Sequence, residues 1–260
     1  MRFLMVGDIV GRPGRRGVKA VLPRLREELG VDLVIANGEN AAAGRGLTEG
    51  TALEIFDAGV DVITSGNHIW DQKEAYGLLE GEAPVLRPLN YPKDVPGRGL
   101  LQHGKVTIVN LQGRTFMVDL DCPFRAVDAA LAGLRKESVI VVDMHGEATS
   151  EKVAMGWYLN GRVSAVLGTH THVPTADTHI LPGGTAFVTD VGMVGPSESV
   201  IGNEIEAVIN RFLTQLPTRM PVAEASQAIQ FNSVLVEVDE GTGQARSIAR
   251  VDRELKCDDL

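Results

Sequence analysis

Gly168–Thr169–His170–Thr171–His172 closes a short apolar run at 165–167, and this conjunction decides how the chain folds. A few Ala, Val and Leu residues that stop at a glycine and two imidazoles read as a buried strand delivering polar groups at its carboxyl end. Four other runs repeat the arrangement. Residues 3–6 lead into Gly7–Asp8, 33–36 into Asn37–Gly38–Glu39–Asn40, and 62–64 into Ser65–Gly66–Asn67–His68. Residues 139–142 lead into Asp143–Met144–His145–Gly146–Glu147, and 106–111 is a further run of strand type. Between the runs lie segments of helical period. In 17–29, Val18, Val21, Leu22, Leu25 and Leu29 share a face, with Pro23 as a kink or late start. Thr48 reads as the N-cap of a helix carrying Leu53, Ile55, Phe56 and Ala58. Residues 72–79, 126–135, 151–160 and 203–213 are further helix candidates. Strand–helix alternation predicts an α/β fold, and in such sheets the functional site lies outside the carboxyl ends of the strands.

The last third changes character. Residues 185–189, 229–238 and 244–251 read as strands with one helix among them, and Asp239–Glu240–Gly241–Thr242–Gly243 suits a hairpin loop. A second, more antiparallel sheet is expected there. Residues 87–104, punctuated by Pro and Gly, read as a loop or insertion. No linker composition divides the chain, so residues 1–260 are expected to form a single domain.

Composition excludes several classes. The 260 residues are 44% hydrophobic and 23% charged, an ordinary globular balance. No apolar run approaches the ~20 residues of a spanning helix. The first apolar stretch is broken by Gly7 and Asp8 and does not read as a secretory leader. A cytoplasmic protein without a membrane partner is expected, with Cys122 and Cys257 as reduced thiols. The net charge of −9 argues against extended nucleic-acid binding. A small phosphorylated ligand remains possible, because a local cation can hold it.

Four of the six histidines fall in the strand-end motifs. With Asp8, Glu39 and Asn67 they form an oxygen and imidazole set without thiolate, suited to Mn, Fe, Zn or Mg. Each member has a bland reading alone: Asp8 as a turn or helix cap, Glu39–Asn40 as a solvated turn, His145 as a core histidine. Alternation along an extended segment would turn His170 and His172 to one side, which makes His170-x-His172 the most specific feature. Asp8, Glu39, Asn67, His145, His170 and His172, with Asn40 as a seventh, exceed the three or four ligands of one tetrahedral ion. Two ions are therefore expected, with Glu39 able to bridge them. His103 and His179 read as ordinary.

The set resembles the calcineurin-like metallophosphoesterase superfamily. Its blocks are Asp-x-His, Gly-Asp, Gly-Asn-His-Asp/Glu, a lone His, and Gly-His-x-His. Here Val10 stands at the His of the first block, Glu39 replaces the bridging Asp, Ile69 replaces the acidic residue, and one extra residue separates Gly168 from His170. Those departures are themselves similar to the bacterial YmdB-type branch, through Gly-Asp-Ile-Val-Gly, Asn-Gly-Glu-Asn and Gly-Asn-His-Ile-Trp-Asp. The resemblance implies a four-layer α-β-β-α sandwich with mixed sheets. It implies a phosphodiesterase acting on cyclic nucleotides, 2′,3′- or 3′,5′-, or on related small phosphodiesters, through a hydroxide held between two divalent or trivalent ions. Iron or manganese comes first for those ions, zinc or magnesium next. By resemblance Asp8, Glu39 and His172, with Asn40 for the missing histidine, hold one ion. Glu39, Asn67, His145 and His170 hold the other. His68 is then catalytic, protonating the leaving alkoxide; Asp71, three residues on, is close enough in sequence to orient it or stabilise its charge. Homo-oligomers are compatible with the superfamily.

Three rivals remain open. A dinucleotide loop has the wrong spacing in Gly7-x3-Gly11-x2-Gly14, and a serine esterase would place its nucleophile at Ile9, which has no hydroxyl. The third rival is a regulatory metal-containing protein that acts by binding RNA or partner proteins. Gly11–Arg12–Pro13–Gly14–Arg15–Arg16 reads either as a phosphate-binding loop or as a solvated loop and helix start.

His68→Ala is expected to lower turnover by roughly 10²–10⁴-fold while metal content stays near normal. Asn67→Ala and His170→Ala should lose metal and activity together. Elemental analysis beside a phosphodiester assay decides, and a metal-free His68→Ala protein contradicts the assignment.

Overall fold

The computed structural model describes residues 1–134 and 138–256. Arg135, the last residue of the helix expected at 126–135, and Cys257 lie outside the described residues. The first half runs β1 (Arg2–Val6), β2 (Asp8–Ile9), α1 (Gly11–Leu29), β3 (Leu33–Asn37), α2 (Glu49–Asp57), β4 (Val62–Thr64), α3 (Glu74–Glu80), β5 (Leu100–His103) and β6 (Val106–Gln112). The second half runs α4 (Pro123–Leu131), β7 (Val139–His145), α5 (Thr149–Leu159), β8 (Ala165–Thr169), β9 (His179–Ile180), β10 (Ala186–Val188), β11 (Met193–Pro196), α6 (Ile205–Thr214), β12 (Ala228–Phe231), β13 (Ser233–Val238), β14 (Ala245–Arg250) and β15 (Arg253–Lys256).

Two mixed sheets face each other. The first has the order β14-β13-β1-β3-β4 and the second β5-β6-β7-β8-β10-β9. In the first, β1, β3 and β4 run parallel and the β13–β14 hairpin joins β1 antiparallel; in the second, the central strands β6, β7, β8 and β10 are parallel and the outer pairs antiparallel. Alternation along β1 explains why its run is wholly apolar. Phe3 and Met5 meet Val141 and Leu167 between the sheets. Leu4 and Val6 face the other way, onto Leu22 and Ile55 of α1 and α2. On the far side of the second sheet, Val109 and Leu111 pack against Val127 and Met155 of α4 and α5. The layers are therefore α-β-β-α, as the resemblance implied, and both sheets are covered on both faces.

The antiparallel sheet expected near the C-terminus exists, but from other strands. It is small, ordered β15-β12-β11-β2, and β2 is its parallel edge through Asp8 opposite Met193. The run 229–238 is two strands in two sheets, split at Asn232. The Asn232 carbonyl accepts from Gly7 N at 3.0 Å and its Oδ1 from Met193 N at 3.2 Å. The hairpin β13–β14 joins the first sheet beside β1. The segment expected as a loop at 87–104 contains the edge strand β5.

Helix α1 begins at Gly11, six residues earlier than the periodicity predicts, so the basic stretch forms its first turns rather than a loop. Pro13 fits there because first-turn N–H groups have no helical partner. The helix also runs through Pro23, which is exposed, so the Lys19 carbonyl it cannot serve faces water. Thr48 and Thr51 cap α2 reciprocally at 3.2 and 3.0 Å. Helix α1 lies close on the small sheet: a Cβ at Gly14 would stand 2.4 Å from the Val194 carbonyl oxygen, and one at Gly17 2.8 Å from Ile229 Cγ2.

Gly14→Ala gains about 1 kcal/mol of helix propensity but drives a methyl into a backbone oxygen that cannot rotate away. A net destabilisation of about 1–3 kcal/mol is expected in urea unfolding; an unchanged midpoint contradicts the close packing.

Candidate metal centre

The five motifs meet at one edge. Asp8 follows β1 and is pinned by the pairing of β2 to β11. Glu39 and Asn40 follow β3, Asn67 and His68 follow β4, His145 is the last residue of β7, and His170 follows β8. Asp8, Glu39 and His145 are fully buried, and Asn40 nearly so.

Nε2 of His145 is the focus. It stands 2.9 Å from Glu39 Oε1, 3.1 Å from Asn67 Oδ1 and 3.0 Å from His170 Nδ1. Glu39, His145 and His170 form a group whose ligand atoms lie within 4.8 Å of one another. The remaining residues gather beside it. His172 Nε2 is 3.2 Å from Asn40 Nδ2 and 3.8 Å from Asp8 Oδ1, and Asn40 Nδ2 is 3.5 Å from Glu39 Oε1. All seven residues with ligand chemistry are thus drawn together. Val10, at the position of the missing histidine, is buried in an apolar cluster with Met193 and Val222.

Several groups that hold this cluster carry no recognisable sequence signal. The Thr169 hydroxyl donates to Asp143 Oδ1 at 2.7 Å, so its lone pair accepts from His145 Nδ1 at 2.9 Å. That keeps a proton on Nδ1, so Nε2 is the nitrogen that would release its proton and turn a lone pair to a cation. Asp143 also accepts from Thr64 and from Asn37 Nδ2. Glu147 lies 3.1 Å from His170 Nε2, which puts that proton on Nε2 and frees Nδ1.

Alternation is not what turns His170 and His172 inward. The strand ends at Thr169, and both histidines have left-handed backbones, φ +102° and +65°. Such strain costs of order 1–3 kcal/mol per residue and persists where the surroundings over-determine it. Here Asp8 Oδ2 accepts from His170 N at 3.1 Å, and Asp190 Oδ2 from Thr171 N at 3.1 Å and Thr171 Oγ1 at 2.8 Å. Asp190 is itself fixed by the buried Lys152 ammonium at 2.8 Å.

The electrostatics suit a cation. Burial pushes the Asp8 carboxyl up to about 7, against the pull of His172 and His145. Burial also works against ionised Glu39, but the neighbouring His145, and the His68 N–H at 2.9 Å, hold it at about 2. Burial opposes a charged His145 too, yet Glu39 and Asp8 raise it to about 9. Burial and the charge of His145 push His170 down to about 3. Asp8 Oδ1 is buried with no hydrogen-bond partner among the described residues. An orphaned carboxylate oxygen and an imidazole nitrogen ringed by acceptors fit bound metal ions.

His68 stands apart from the focus. Its Nδ1 is 2.9 Å from Asp71 Oδ2, and its side chain is partly exposed. His103 and His179 are exposed residues on β5 and β9.

The fold is that of the metallophosphoesterase-type phosphatases and nucleotidases. A nucleotidase from Haemophilus influenzae that acts on NAD shares the fold at TM-score 0.60, with 14% identity, over 98% of this chain and 56% of that one. The chain belongs to the family described as YmdB-like protein, whose profile matches residues 4–251. A crystal structure of a novel phosphatase from Mycoplasma pneumoniae superposes with TM-score 0.92 at 33% identity, over 98% of this chain and 94% of that one. The 2′,3′-cyclic-nucleotide 2′-phosphodiesterase of Bacillus subtilis (strain 168) is 46% identical over 256 residues, 96% of each chain.

The Asp8 carboxyl, raised from 3.8 to about 7, costs stability once ionised; the cost begins above pH 3.8 and is complete above about pH 7. In chelator-stripped protein at pH 8, Asp8→Asn is therefore expected to raise the melting temperature by about 2–4 °C or more. A lower melting point in calorimetry contradicts the orphaned charge.

Proposed function

We propose that the chain is a phosphodiesterase that opens 2′,3′-cyclic nucleotides with two bound metal ions, manganese or iron. The observation that carries this reading is the convergence of Glu39, Asn67 and His170 on Nε2 of His145, with Asp8 unpartnered beside His172. Glu39, Asn67, His145 and His170 would hold one ion, and Asp8, Glu39 and His172, with Asn40, would hold the other. When bound, the ions supply Lewis acidity, lowering the pKa of water and offsetting charge on the phosphoryl oxygens. The similarity to the Bacillus subtilis enzyme supports the choice of phosphodiester.

The chain's own residues do the rest. Asp143 and Thr169 keep the His145 proton on Nδ1, and Glu147 keeps the His170 proton on Nε2. With the ions bound, both imidazoles would present their lone pairs inward. Asp71 accepts from His68 Nδ1 and fixes the orientation of the ring. His68 Nε2 then delivers its proton to the leaving alkoxide oxygen, and the backbone N–H of His68, bonded to Glu39 Oε2, keeps the acid beside the ligands. Burial of the ligands excludes competing water and strengthens each charge interaction.

Chelator-stripped protein reconstituted with manganese or iron is expected to regain hydrolysis of 2′,3′-cyclic AMP as loading reaches two ions per chain. Failure to turn over any phosphodiester at full loading contradicts the reading.

A further inference from the structure

A second concentration of chemistry lies on the same edge, one strand outward from the Ser65–His68 loop. Residues 85–87 run beside β4, with Leu86 N donating to Ile63 O at 2.8 Å and Ser65 Oγ donating to Leu86 O at 2.6 Å. The segment then crosses to the second sheet, where Leu89 N donates to Asn110 O at 2.7 Å. There it opens a cleft of about 760 Å³. Arg87, Lys93, Arg98, Arg114 and Arg125 line it, against Asp121 as the sole lining carboxylate. In a chain of net charge −9, such a cluster runs against the whole-molecule trend.

Arg87 is built in rather than scattered on the surface. It is 5% exposed, and its Nε and Nη1 donate to the carbonyls of Pro96 and Pro88 at 3.1 and 2.9 Å. Its Nη2 has no hydrogen-bond partner among the described residues, and Arg98 Nε is buried without one. Among the described residues none of the five cations forms an ion pair. Arg87 Nη2 is not buried, so it is open to water or, with a stronger charge-assisted bond, to an anion. The volume suits a nucleotide-sized ligand.

The cleft lies beside the centre. Tyr91 on its wall packs edge-on against Trp70, two residues past His68, with ring centroids 5.5 Å apart. Arg114 lines the cleft, while Phe116 to Val118 of the same segment line a cavity of about 400 Å³ shared with Asn67 and His170.

We propose that this cleft binds a second phosphate of the substrate, the internucleotide phosphate next to a cyclic end. The enzyme then prefers short oligonucleotides over mononucleotides. This rests on the phosphodiesterase reading above. Titration calorimetry on the metal-loaded chain compares a 3′-phosphorylated adenylyl-adenosine dinucleotide with adenosine 3′-monophosphate. The dinucleotide should bind at least about tenfold more tightly, and Arg114→Gln with Arg125→Gln, both at exposed positions, should reduce that gain to near unity. Arg87→Met should do the same if it folds, and the exposed pair decides if it does not. Equal affinities in the parent chain, or a gain that survives the double substitution, overturn the proposal. So does inorganic phosphate binding that responds to the double substitution without any dinucleotide gain, because the cleft is then a site for free anions. Turnover of 2′,3′-cyclic AMP reports the phosphodiesterase reading separately: an inactive chain with the gain keeps the cleft's role, and an active chain without it loses that role.

Discussion

One imidazole nitrogen carries at most one proton, yet Nε2 of His145 stands within 3.1 Å of a carboxylate oxygen, an amide oxygen and a second imidazole nitrogen. No arrangement of protons satisfies all three contacts. Nearby, a buried Asp8 oxygen has nothing to bind among the described residues. Unpartnered polar groups of this kind cost about 1–3 kcal/mol each, more when charged. A core of otherwise apolar packing retains such a cluster because cations can complete it. The two-sheet sandwich supplies the edge where strands from both sheets end together, so ligands far apart in sequence arrive at one point.

The remaining architecture serves that edge. The small third sheet holds β2 against β11, and so fixes Asp8, while Asn232 ties Gly7 and Met193 to the switch between sheets. The close seat of α1 on the same sheet, at Gly14 and Gly17, locks the segment just after Asp8. On the opposite wall, the buried Lys152–Asp190 pair grips Thr171 and holds its two neighbouring histidines in left-handed conformations. Removing a single partner from such a pair would leave an uncompensated buried charge.

Much of this was legible in the residues. Short Val- and Ile-rich runs ending in Gly, Asp, Asn or His marked the strands and the edge, because strands buried on both faces need no alternation and their carboxyl ends need turn residues. The residues that gather at the edge followed from the same motifs. Long-range packing hid the rest. Nothing local separates 228–231 from 233–238; only the Asn232 bonds to Gly7 and Met193 do. Pro13, Pro23 and three arginines obscured the early start of α1, which is stabilised by burial of Gly14 and Gly17 on another sheet. His170 and His172 do converge, but through backbone strain held by Asp8 and Asp190, not through strand alternation. Asp143, Thr169 and Lys152 look like ordinary polar residues until the fold brings them beside the ligands.

The cluster is proposed to cage two cations. Anomalous diffraction from crystals grown with manganese tests it most directly. Two peaks are predicted, one among Glu39, Asn67, His145 and His170, the other beside Asp8, Asn40 and His172. An edge without anomalous density, its imidazoles bonded only to one another and to water, would contradict the account.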